Sequence, residues 1–192
     1  MKSWQVTTLV SFFVGLQLAS CKDKEKGYVS VPSLIEEQVK HVDTSLYSIT
    51  KYIYKGTDTI PADTFYIRRE DFRNEADAFL QIPDLSVSKN ARRFKEESRY
   101  DEMLKRVILT YTPKDAKNDD WQKEEVMIAP EPATGDKVTT IIANRVKNDR
   151  KGLLQEDMLW IMDRSFQVTR TSQLPGEQPV TTTYKVIWND QE

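Results

Sequence analysis

Six consecutive runs rich in Val, Ile, Thr, Tyr and Trp occupy the chain from about residue 99 onward, each closed by a short turn-forming separator. They are Tyr100 to Thr112, Lys123 to Ala129, Lys137 to Val146, Leu153 to Met162, Ser165 to Ser172 and Val180 to Trp188. β-Branched and aromatic side chains suit a pleated, half-buried surface, so these runs read as strands. Pro113 with Asp115, Pro130 and Pro132 with Gly135, Asn148 to Gly152, Asp163-Arg164 and Pro175-Gly176 punctuate them. Links this short favour antiparallel neighbours, and hence a meander.

The preceding region carries a different period. Pro32-Ser33-Leu34-Ile35-Glu36 resembles a capping box with Ser33 as N-cap. Ile35, Val39, Val42, Leu46, Ile49 and Ile53 then recur at alternating spacings of four and three, which predicts one helix ending at Gly56. Phe65, Phe72, Ala76, Phe79 and Leu80 predict a second helix that stops before Pro83. Segment 84 to 98 reads as loop plus a short helix. The expected fold class is therefore α+β, with two N-terminal helices packed on an antiparallel meander sheet of about five or six strands. In element order alone this resembles cystatin-like and NTF2-like folds, a likeness that implies nothing about function.

Residues 1-20 have the parts of an export signal: Lys2 supplies a positive start and Val6 to Leu18 an apolar stretch too short for a confident membrane span. Leu18-Ala19-Ser20-Cys21 resembles the bacterial lipobox, in which an apolar branched residue and two small residues precede a cysteine. The resemblance implies that the Cys21 thiol takes a diacylglycerol and becomes the N-terminus after cleavage. Several acyl chains then make a stable membrane anchor. Residues 21-30 read as the lipidated cysteine and a hydrated tether, Lys-Asp-Lys-Glu-Lys-Gly following the cysteine, and residues 31-192 as a single α+β domain. Lys22 stands where an aspartate favours retention in the inner membrane of proteobacteria, which leans toward the outer membrane. The short charged run is also similar to the surface-export signals of Bacteroidetes lipoproteins.

Composition narrows the chemistry. Lys and Arg total 28 against 30 Asp and Glu, with both signs scattered, so nucleic-acid binding has no support. Cys21 is the only cysteine and His41 the only histidine, which removes intrachain disulfides, Cys- or His-based catalytic triads and multi-histidine metal sites within one chain. No phosphate-binding glycine loop or calcium loop is present, and no cofactor is implied. Acidic neighbours such as Glu124-Glu125 and Glu156-Asp157 read as solvated face or turn, and because adjacent residues on a strand face opposite ways such a pair does not set two carboxylates across one cleft. Trp121, Trp160, Phe166, Tyr184 and Trp188 lie on or beside the predicted sheet, where they either form core or line a pocket for an apolar or glycan ligand.

The leading expectation is a non-enzymatic, membrane-anchored lipoprotein of the cell envelope that binds another envelope protein or takes part in an assembly. A ligand carrier or sensor comes second. A carboxylate-dependent hydrolase of envelope polysaccharide comes third.

Overall fold

In the computed structural model, which describes residues 28–189, the first element is helix α1 (Val31–Thr44). Its N-cap is Ser30, whose hydroxyl accepts the Ser33 N–H, with Pro32 in the first turn where a missing N–H costs nothing. Ile35, Val39 and Val42 make the buried stripe. At the other end Ser45 donates both its N–H and its hydroxyl to the Val42 carbonyl, and the helix stops there.

The chain then enters strand β1 (Ile49–Lys55) and returns as β2 (Asp63–Ile67). A single 3-10 turn at Arg69–Asp71 leads into three one-turn helices, α2 (Phe72–Glu75), α3 (Asp77–Leu80) and α4 (Ser88–Ala91). Seven strands follow: β3 (Phe94–Asp101), β4 (Arg106–Pro113), β5 (Trp121–Ala129), β6 (Lys137–Asp149), β7 (Gly152–Ile161), β8 (Ser165–Gln173) and β9 (Val180–Ile187). All nine lie in one antiparallel sheet of order β2-β1-β9-β8-β7-β6-β5-β4-β3.

This corrects the expected fold class. The sheet has nine strands, not five or six, and the described helices are short; there is no pair of long N-terminal helices laid on a smaller sheet. The single helix expected to run to Gly56 breaks at Ser45, and its second half is β1. Tyr52, Ile53 and Tyr54 carry β-forming side chains, and pairing of β1 with both β2 and β9 satisfies a backbone that a helix would have satisfied internally. Phe65 belongs to β2, so the second expected helix survives only as α2 and α3. The run from Tyr100 to Thr112 is not one strand: it turns at residues 102–105, where Lys105 adopts a left-handed φ of 52°. The element order of cystatin-like and NTF2-like folds is thereby set aside.

The core lies between one face of the sheet and the helical segments. Trp160 and Phe166 are direct cross-strand partners on β7 and β8, stacked at 4.9 Å with their planes 17° apart. Phe72 from α2 meets Trp188 edge-on at 5.1 Å, and Phe79 from α3 meets Trp160 at 5.0 Å. Helix α1 is fixed over the β7–β8 turn by Gln38, which donates to the Asp163 carboxylate at 2.8 Å and accepts the Asp163 N–H at 2.7 Å. Asp163 holds a φ of 59°, so this pair of bonds supports a conformation that costs a non-glycine residue energy.

Truncating Phe72, fully buried against three aromatic rings, leaves a cavity the sheet cannot close. Phe72→Ala is expected to lower unfolding stability by about 3–5 kcal/mol in urea titrations. Leu46→Ala, at a side chain 94% exposed although it sat on the expected helical stripe, should change it by less than about 0.5 kcal/mol.

Candidate functional site

Strand alternation sends Leu154, Glu156, Met158 and Trp160 to the same face of β7, so the core face is apolar near Trp160 and charged two pairs further down. The registers carry this level sideways: Arg145 on β6 is paired with Glu156, and Glu156 with Arg170 on β8. Glu156 is 3% exposed. Its Oε1 accepts Arg170 Nε at 3.0 Å and Nη2 at 2.7 Å, and its Oε2 accepts Arg145 Nη1 at 3.4 Å. Arg145 also donates to Gln81 at 3.1 Å, just beyond α3, which ties the row to the helical layer.

The two ends of this row are aromatic. Arg145 stands over the Trp121 ring at 5.2 Å, while Arg170 and Lys51 stand over Tyr184 at 5.9 and 5.3 Å. A cation above an aromatic face is attracted by the ring quadrupole, more strongly where water is excluded. Lys51 in turn bonds Glu75 of α2 at 2.6 Å. Burial opposes the charge of Arg170 most strongly, but its hydrogen bonds to Glu156 together with the charge interactions of Tyr184 and Glu156 outweigh this and raise its pKa. Burial likewise pushes the Tyr184 phenol upward.

A second buried acid lies on β5. Glu124 is 3% exposed and pairs in register with Tyr111 of β4 on the same face. Burial, together with the charge of Asp84, raises its pKa to about 8, and its Oε1 has no hydrogen-bond partner among the described residues. Burial also raises the Tyr111 phenol strongly, with Glu96 and Glu124 adding to the effect. Glu124 and Glu156 come from different strands and share a face, yet both are enclosed, so they do not form the open two-carboxylate cleft that glycoside hydrolysis needs.

Of the five aromatics singled out from sequence, Trp160, Phe166 and Trp188 converge as packed core, with Phe72 and Phe79 filling the space between them and the helices. Trp121 and Tyr184 sit apart, at the ends of the charged row. Cys21 lies outside the described residues. His41 meets the Tyr47 ring edge-on at 6.0 Å on the exposed side of α1. The depressions on the surface are shallow; one of about 490 Å³ runs outside α1, and the Arg73–Glu36 ion pair is part of its lining. No group of metal-ligating side chains occurs among the described residues.

Glu124 and Glu156, read from the sequence as solvated, are buried, and Arg145 and Arg170 were not reached by the sequence reading. The available signal was alternation: Glu124 stands two residues from Val126, and Glu156 two from Met158, so each belongs to the apolar face of its own strand. Compared with protein-family models, curated proteins and solved structures, the chain has no match.

The sign of the Glu124 effect is set by its raised pKa. The folded state keeps a proton that the unfolded chain, with the ordinary value of 4.5, releases, so the contribution of Glu124 to stability is fully present below pH 4.5 and is lost as pH rises toward about 8. Glu124→Gln mimics the neutral acid. Urea titrations across this interval should show a stability loss with rising pH in the native chain that is absent from the contribution of position 124 in the variant.

Proposed function

We propose that the chain is a membrane-anchored lipoprotein of the cell envelope with a non-enzymatic binding or assembly role. The observation that carries this reading is the lipobox-like Leu18-Ala19-Ser20-Cys21 at the end of a signal-like segment, followed by the charged run 22–27. An anchor and a hydrated leash place a folded body beside a membrane and leave its surface free to meet partners. Lys22, in place of an aspartate, favours the outer membrane.

The distribution of apolar side chains supports a role at the surface. The large aromatics of the core face are used up in mutual contacts, while Ile60 and Tyr66 stand 78% and 84% exposed in the β1–β2 turn and on the edge strand β2. Exposed apolar groups gathered on one structural feature mark interaction sites more often than single scattered ones do. No helix among the described residues is long and apolar enough to cross a membrane; in this reading attachment is through acylated Cys21.

The test is Cys21→Ser. Cells fed labelled palmitate should incorporate it into the native chain and not into the variant, and the variant should leave the membrane pellet. Retained label and retained sedimentation in Cys21→Ser would remove the anchor from the proposal.

A further inference from the structure

The two edges of the sheet are treated differently. Strand β3 ends the sheet on one side with Lys95, Glu96, Glu97, Arg99 and Asp101, a density of charge that discourages another strand from pairing. Strand β2 ends it on the other side with Asp63-Thr64-Phe65-Tyr66-Ile67, whose middle is uncharged. Phe65 and Tyr66 are 47% and 84% exposed, and Ile60 and Leu46 flank the strand's two ends. An edge strand presents unpaired N–H and C=O groups, and β2 carries a single charged side chain, Asp63 at its first residue, where β3 carries five.

We infer that β2 pairs antiparallel with β2 of a second copy of this chain, joining two nine-stranded sheets about a two-fold axis. This deepens the assembly role and rests on that reading for its membrane setting. Symmetry restricts the register. An antiparallel pair of identical strands is related by an axis perpendicular to the sheet, and residues directly opposite share a face, so the pairing centres on a residue rather than between two. Centred on Tyr66, it sets Phe65 against the partner's Ile67 and brings Asp63 beside the end of the partner's β2, where that chain enters the 3-10 turn at Arg69. Centred on Phe65, it sets the Asp63 carboxylate against the partner's Ile67.

Complementarity selects the first register. Phe65 and Ile67 are both apolar and alternate with Tyr66, so they meet on the core face of the joined sheet. Neither Asp63 nor Arg69 has an ion-pair partner among the described residues, whereas neighbouring Arg68 is already engaged by Glu70 and Asp71. The second copy supplies the missing carboxylate to each Arg69, twice per dimer.

The chain has no cysteine besides Cys21, so a single reporter thiol can be placed at will. The full-length Cys21→Ser chain carrying Tyr66→Cys, purified in detergent and treated with a short bismaleimide, should shift from its 22.3 kDa band to one of twice that mass. Arg99→Cys on the β3 edge should stay at the single-chain position. Phe65→Cys should cross-link less than Tyr66→Cys; the reverse order would overturn the register. Asp63→Arg should move the chain toward monomer in light scattering, and Asp63→Arg combined with Arg69→Asp should restore the dimer. A monomeric chain, or equal cross-linking at Arg99→Cys and Tyr66→Cys, would overturn the pairing, as would capture of a different protein's strand at β2. A monomer that still takes palmitate at Cys21 leaves the lipoprotein reading standing; a dimer whose native Cys21 takes none does the opposite.

Discussion

The stacked pair of Trp160 and Phe166 is the contact on which the rest of this architecture depends. It joins β7 and β8 across their shared register and forms the floor on which Phe72, Phe79 and Trp188 converge. Helices α2 and α3 have four residues each, too few to persist by their own hydrogen bonds, because helix nucleation is unfavourable and short helices lack the propagation that offsets it. They exist because Phe72, Ala76 and Phe79 reach that floor and are fully removed from water. The same rings leave two indole N–H groups, those of Trp160 and Trp188, buried without an acceptor among the described residues, so apolar contact dominates the centre of the fold.

Beyond the aromatic floor, the core face changes character within two residue pairs. Glu156 bridges Arg145 and Arg170 at the level where Gln81 marks the end of the helical cover. Removing ions from water costs several kcal/mol each, and a buried pair returns little net stability over an apolar replacement. What such a row does supply is selectivity of register. A one-residue slip of β7 would turn Glu156 to the opposite face, away from both arginines, and would expose Trp160 in the same motion. Apolar burial and ion pairing on adjacent levels of one face therefore penalise the same error.

Legibility in the sequence followed the range of the contacts. Strands β5 to β9 were readable nearly to their ends because each pairs with the next across a short, well-marked turn. The N-terminal half was not, because β1 is held by β9, at the far end of the chain. Ile49 and Ile53, four apart, fit a helical stripe and strand alternation equally well, and a distant partner decided between them. The turn at 102–105 was hidden inside a run whose flanks both favour strand. Among the candidate site residues, the aromatics were visible as a group, and Trp160, Phe166 and Trp188 do converge. Their charged neighbours were missed because Glu156-Asp157 looks like a solvated pair along the chain. The pleat divides it: Glu156 goes to the core face, while Asp157 goes to the other and bonds Asn144 at 2.5 Å.

The open edges follow from the same segment that builds the core. Strands β2 and β3 are consecutive in the chain yet lie at opposite ends of the sheet, about 38 Å apart over eight strand spacings if the sheet were flat. The connection between them, Arg68 to Arg93, must therefore cross a whole face, and in crossing it delivers Phe72 and Phe79 onto Trp160 and Phe166. Closing the sheet into a barrel would bring β2 beside β3 and require that crossing segment to fold inside, against rings that already fill the space. The chain thus buries its aromatics with a crossover and retains two edges as the consequence. Charge protects the β3 edge, whereas the β2 edge has only pairing with another strand to satisfy its backbone away from water.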